Sequence, residues 1–180
     1  MIVIISGTNR PESSTLQIAK AVQDIYRNLA VPTELLDLQD LPEQIFKPES
    51  YAHKPEDFSK FTDPILNSTG IVVVTPEYNG GPPGVLKYFI DMLPFPESFE
   101  HRPVAFIGIS AGMWGALRPV EHLQQIFGYR NAHIFPDRVF IPGIMSLLSD
   151  EEKLRVSLEW ELVEKQSKDF AEFVNILSSS

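Results

Sequence analysis

The chain has 180 residues, 43% of them hydrophobic and 22% charged, which is enough for one domain with a full core spanning residues 1–180. A net charge of -9 gives no long-range attraction to nucleic acid or to an anionic membrane, so neither is expected as a partner. The lack of cysteine excludes disulfides, thiolate catalysis and cysteine-held metal within this chain. His53, His101, His122 and His133 fall in separate segments without ligand spacing, so no metal site is expected.

Ile2 to Ile5 make the first apolar run, and no basic leader precedes it, so it reads as a strand and not as a signal peptide. No run approaches the ~20 apolar residues of a membrane span, and a cytoplasmic protein is expected. Leu16, Ala19, Val22, Ile25 and Leu29 follow at helical spacing. "TELLDL" (33–38) is a second strand. A polar, proline-bearing connection from Gln39 to Pro55 comes next. It is long for a structureless loop and reads either as a lid or interface segment, with Tyr51 and His53 near an acceptor, or as a disordered surface loop.

A short helix presents Phe58, Phe61 and Ile65, limited or bent by Pro64. Ile71 to Val74 form a third strand, apolar throughout as when helices cover both faces. Its helix shows Leu86, Phe89, Ile90 and Leu93, with Pro83 suited to the first turn. "PVAFIGIS" (103–110) is the fourth strand, followed by a helix with Leu117, Val120, Leu123 and Phe127 inward. "AHIF" or "DRVFI" supplies the fifth. A C-terminal helix over about 149–177 opens on Ser149 and Glu152, spaced as a capping box.

Strands alternating with helices predict an α/β, three-layer doubly wound fold with a five-stranded parallel sheet. In the flavodoxin-like order 2-1-3-4-5, ligands bind beyond the carboxyl ends of the strands where the order reverses. The loops after strands one, three and four should therefore carry the chemistry.

The first of these, "SGTNRPESST" (6–15), holds five hydroxyls and Arg10 and runs into a helix. A helix N-terminus offers unpaired N–H groups and partial positive charge, so this loop suits a phosphate. Ser13 or Ser14 would also cap the helix whatever else binds. Neither GxGxxG nor GxxxxGK[ST] is present, which disfavours a resident dinucleotide or a nucleoside triphosphatase and favours a terminal monophosphate.

The second loop, within "TPEYNGGPPGVLKYFID" (75–91), combines Gly80 and Gly81 with Pro76, Pro82 and Pro83. It can be preorganised with N–H groups directed at a flat heterocycle. The third, "SAGMWGALR" (110–118), lets a backbone approach at Gly112 and Gly115. Trp114 there either flanks a planar ring or serves packing.

These loops resemble the NADPH-dependent FMN reductase family, flavodoxin-like enzymes that include quinone, azo-dye and chromate reductases. The likeness covers residues 2 to about 165. It rests on Gly7, Thr8, Arg10 and Ser13 for a G-S-x-R-x-x-S pattern, and on Pro76, Glu77, Tyr78, Asn79, Pro83, Gly84, Leu86 and Lys87 for P-E-Y-N followed by P-G-x-L-K-N. A weaker third pattern is met by Ser110, Gly112 and Gly115. Tyr88 stands where the family usually has Asn, and Ala116 where a second Gly is common.

The resemblance implies bound FMN, with Thr8, Arg10, Ser13, Ser14, Thr15 and Leu16 around its phosphate. Pro76, Glu77, Tyr78, Asn79 and Gly80 would lie along the isoalloxazine ring, and Ser110, Gly112 and Gly115 at its pyrimidine end. It implies NADPH or NADH as transient co-substrate, ping-pong hydride transfer to a small-molecule acceptor, and a homodimer or homotetramer with the flavin near a subunit interface. Tyr88 and Ala116 would sit beside the ring or at that interface. No catalytic side chain is demanded, because the cofactor carries the chemistry. Glu77 is expected to accept N–H bonds or to pair with a cation such as Lys87 or one from a partner subunit. A flavodoxin-type one-electron carrier and a non-catalytic flavin-binding redox sensor are the alternatives, although the carriers' T-x-T-G-x-T loop is not matched here.

Overall fold

The computed structural model describes residues 1–150 and 154–179. Five strands, β1 (Ile2–Ser6), β2 (Thr33–Asp37), β3 (Gly70–Pro76), β4 (Pro103–Ile109) and β5 (His133–Ile141), form one sheet in the order β2-β1-β3-β4-β5. Every neighbouring pair is parallel, so each connection must cross a face of the sheet. Those crossovers carry α1 (Ser14–Asn28), α2 (Ser59–Asn67), α3 (Gly84–Met92) and α4 (Leu117–Tyr129), with α5 (Ile144–Leu148) and α6 (Leu158–Ser178) after the last strand.

The period-2 alternation of the strands divides the core into two layers. Val3, Ile5, Ile71, Val73, Val104 and Phe106 face α2, α3 and α4. Ile2, Ile4, Val72, Val74, Ala105 and Ile107 face α1 and α6. All residues of β1, β3 and β4 are buried, which explains why their sequences are apolar without alternation.

Several elements differ from the sequence reading. The buried stripe of α1 is Thr15, Ile18, Ala19, Val22 and Tyr26, rotated from the expected one, and Leu29 is an exposed C-cap. The connection after β2 is a series of short 3-10 turns over Leu38–Asp40, Glu43–Phe46, Pro48–Tyr51 and Glu56–Phe58. It is held down by Leu41, Ile45 and Phe58, which join the core facing α2 and α3.

Tyr88 secures this connection. Its hydroxyl donates to the Ile45 carbonyl at 2.7 Å, and its ring packs against Phe46 and Tyr51. Pro64 lies inside α2, which continues to Asn67.

Strand β5 takes in both expected stretches, with a register break that carries the pairing from Val104–Ile134 to Phe106–Arg138. Pro136 falls in that break, where no ladder N–H is required of it. The long C-terminal helix opens later than expected. Its N-cap is Ser157, whose hydroxyl accepts from the Trp160 N–H. Ser149 is instead the C-cap of α5, and Glu152, the other half of the expected capping box, lies outside the described residues.

Candidate functional site

The strand order reverses between β1 and β3, and the loops beyond their carboxyl ends meet there with the loop after β4. Together they line a cavity of about 370 Å³, a size within the ordinary range for small-molecule sites. Arg10, Ser13, Ser14 and Thr15 come from the first loop and the start of α1, Pro76, Glu77 and Tyr78 from the end of β3, and Ser110 from the end of β4.

The first loop is drawn tightly against β3. The Gly7 N–H donates to the Val74 carbonyl at 2.8 Å, and a Cβ on Gly7 would lie 2.8 Å from that same oxygen and 3.0 Å from Leu86 Cδ2. Only glycine permits this approach. Ser13 is the N-cap of α1, its hydroxyl accepting from the Leu16 N–H at 3.1 Å. Ser14 and Thr15 therefore stand at the positive end of the helix with the cap already provided, and Arg10 lines the same cavity.

After β3 the chain makes a two-residue turn. Tyr78 and Gly81 exchange backbone hydrogen bonds at 2.9 and 3.1 Å, with Asn79 at φ +53° and Gly80 at φ +77° between them. This is the Asn-Gly pattern of a type I′ turn, which needs positive φ at both central residues. The bonds that close it use neither the Asn79 nor the Gly80 N–H.

After β4, the Ser110 hydroxyl donates to the Gly112 carbonyl at 2.9 Å, while the Ser110 carbonyl accepts from the Ile144 N–H at 3.0 Å. Gly115 (φ +56°) packs beneath Phe140, where a Cβ would lie 2.8 Å from Phe140 Cβ. Ala116 is fully buried at φ +66°, at the N-cap of α4. It is therefore a packing position beneath the loop.

With this geometry in view, residues 1–145 match the family described as NADPH-dependent FMN reductase. The chain belongs to the NADPH-dependent FMN reductase family. An NAD(P)H-dependent FMN reductase of Pseudomonas aeruginosa is 29% identical over 167 residues, covering 90% of this chain and 88% of that protein. A quinone reductase of Pseudomonas putida is 27% identical over 158 residues, covering 85% and 83%. Among solved structures, the flavoenzyme NAD(P)H:(acceptor) oxidoreductase of Paracoccus denitrificans shares the fold with a TM-score of 0.73 and 21% identity, over 97% of this chain and 96% of that one. As a member of this FMN reductase family, the chain is an oxidoreductase.

Not every residue singled out from sequence reaches the cavity of this FMN reductase relative. Thr8 is fully buried and does not line it. Leu16 contributes its backbone N–H to the Ser13 cap. Asn79 and Gly80 form the turn tip at the rim, and Gly112 and Gly115 shape the third loop, but none of these four lines the cavity.

Glu77 does line it, and its carboxylate pairs with Arg118 of α4 at 3.6 Å. Lys87, one of the expected partners, pairs with Asp91 one turn along α3. Trp114 is 58% exposed and lines a separate hollow with Phe140, Leu158 and Leu162. Tyr51 lines another hollow on the outer face of α2 and α3, and neither Tyr51 nor His53 borders the switch-point cavity.

Sequence reasoning missed Ile144 and Met145, which close the cavity from α5. The Ser14 hydroxyl lies 3.6 Å from Met145 Sδ. The one available signal was Gly143, at φ +61°, turning the chain back after β5.

Proposed function

We propose that this chain binds FMN in the switch-point cavity and uses it to carry electrons from NADPH or NADH to a small-molecule acceptor in a ping-pong sequence. A quinone, an azo compound, a metal ion or free flavin are the acceptor classes. The observation that carries this reading is the convergence on one cavity of a hydroxyl-rich helix N-terminus, a preorganised turn and the loop after β4.

The residues fit the cofactor. With Ser13 committed to the cap, Ser14, Thr15 and Arg10 remain to hold a terminal phosphate at the positive end of α1. Pro76 and Tyr78 offer a wall of mixed apolar and polar character, suited to one edge of a heterocycle, and the Asn79 and Gly80 amides are donors at its rim. The pairing of Glu77 with Arg118 offsets a carboxylate that would otherwise oppose negative charge in the cavity. When bound, FMN supplies hydride acceptance and donation. This chain's residues bind and orient it and present fixed donors where charge develops.

Anaerobic stopped-flow mixing with NADPH and NADH, followed by an acceptor panel, tests the reading. Rapid bleaching of the flavin and its recovery on adding acceptor are expected. Slow bleaching would favour a one-electron carrier, and failure to bind FMN at micromolar concentration would sink the proposal.

The same reading includes a homodimer or homotetramer. It is supported by a groove of about 680 Å³ between α3 and α4, which includes Ile90, Ile126 and the 85% exposed Tyr129 and reaches the turn at Gly81 and Pro82. Sedimentation of the purified protein as a monomer at all concentrations would remove that part.

A further inference from the structure

We infer that Thr8 and Tyr78 form a staple beside the cavity that fixes the spacing of its two binding loops, with Thr8 a positioning residue and not a phosphate ligand. The inference rests on the reading of this cavity as an FMN site. Thr8 is 0% exposed and does not line the cavity, although Arg10, Ser13, Ser14 and Thr15 do. Its Oγ1 lies 2.9 Å from the Tyr78 hydroxyl oxygen and accepts from the Arg10 N–H at 3.3 Å. A threonine hydroxyl has one proton and two lone pairs, and these two neighbours engage it from within the protein.

Both ends of the staple are anchored. Below Thr8, the Gly7 N–H is bonded to the Val74 carbonyl in a space that admits no side chain. At the other end, the Tyr78 main chain is locked to Gly81 by the two bonds of the turn. The phenol ring between these anchors lines the cavity. Among the described residues, this is the one side-chain hydrogen bond between loop 8–15 and turn 76–81, so it sets how far the phosphate end stands from the ring edge. A bond that holds two loops in their binding geometry lowers the ordering cost of any ligand that spans them. Its effect should therefore not depend on whether the ligand carries a phosphate.

The test compares Thr8→Val, Tyr78→Phe, the double variant and Thr8→Ser, measuring the affinity of each for FMN and riboflavin by fluorescence quenching. Hydrogen exchange of residues 76–81 is followed in the ligand-free chain. Each single substitution should weaken both flavins about three- to tenfold, Tyr78→Phe by the same factor for FMN and riboflavin. The double variant should be no worse than Thr8→Val, because the bond that Tyr78→Phe removes is already lost there. Thr8→Ser, which keeps the hydroxyl, should recover the affinity that Thr8→Val loses. Exchange at 76–81 should accelerate equally in both single variants.

A loss in Thr8→Val confined to FMN would make Thr8 a phosphate ligand and overturn the inference, as would additive losses in the double variant. If the unaltered protein binds neither flavin, the FMN reading itself fails. The exchange data then still decide the staple, since unchanged exchange in both variants would overturn it.

Discussion

Arg10 is the single lysine or arginine among the described residues that line the cavity, and it is exposed. A charge-assisted bond to a phosphate is stronger than a neutral one, but exposure and salt reduce it. Arg10→Ala is therefore expected to weaken FMN by roughly tenfold and leave riboflavin nearly unchanged, as read by fluorescence titration; equal losses would place the guanidinium elsewhere.

Asp37 ends β2 and holds the Gln39 N–H at 3.1 Å. Burial pushes its carboxyl above the ordinary value, with the nearby Asp40 adding to the rise. A carboxyl whose folded pKa is raised binds its proton more tightly when folded. It favours folding below its unfolded pKa, and that contribution is lost as pH rises through the folded value. Asp37→Asn retains an acceptor for Gln39 and removes the ionised form. Its melting temperature should exceed that of the parent at pH 7, and the difference should vanish below about pH 4.

At this scale the sequence named Arg10, Ser13, Ser14, Thr15, Pro76, Glu77, Tyr78 and Ser110, all of which meet in one cavity. It expected Glu77 to pair with a cation such as Lys87, and the cation is Arg118. Lys87 is near in the chain, but it reaches Asp91 on its own helix face, and Arg118 is brought in by α4.

Among the elements, β5 and α6 are joined by the packing of Phe135 on Phe170 and Phe173 and by one buried polar side chain. The register break in β5 interrupts its ladder with β4. Gln166 of α6, 3% exposed, donates from Nε2 to the Phe106 carbonyl at 3.0 Å and to the Asp137 carbonyl at 2.7 Å. Gln166→Leu preserves bulk while removing the donors for both carbonyls. A loss of about 1–3 kcal/mol in urea unfolding is expected, the cost of leaving the buried Phe106 carbonyl without a partner, while the carbonyl of the exposed Asp137 can bond to water.

The same helix depends on Ser157. Ser157→Ala should cost about 1 kcal/mol, the usual value of an N-cap, whereas Ser149→Ala should leave α6 unaffected because Ser149 ends α5. Sequence spacing pointed to Ser149 because a capping box is a local pattern of residue types. The choice among candidate serines was made by where Trp160, Val163 and Phe170 reach the sheet.

For the whole molecule, the proposed cofactor bridges loops from three separate strands, so its binding should stabilise the fold as a unit. At one hundred times its dissociation constant, FMN would add about 2.7 kcal/mol, raising the melting temperature by roughly 5–10 °C for a chain of this size. Differential scanning fluorimetry with and without FMN checks this, and no shift at saturation would count against the site.

The alternation of apolar runs and helical periods, the parallel sheet and the meeting of the three loops at its switch point were legible in the amino-acid order, because strand and helix period and turn preference act between near neighbours. Which hydroxyls face the cavity was not. Thr8 and Thr15 sit in the same polar stretch, yet one turns under the loop to Tyr78 and the other lines the cavity. The closing wall of Ile144 and Met145, the Arg118 partner of Glu77 and the hold of Tyr88 on Ile45 likewise join segments far apart in the chain. Such pairings follow from strand register and the packing of the crossover helices, quantities that no local pattern of residues encodes.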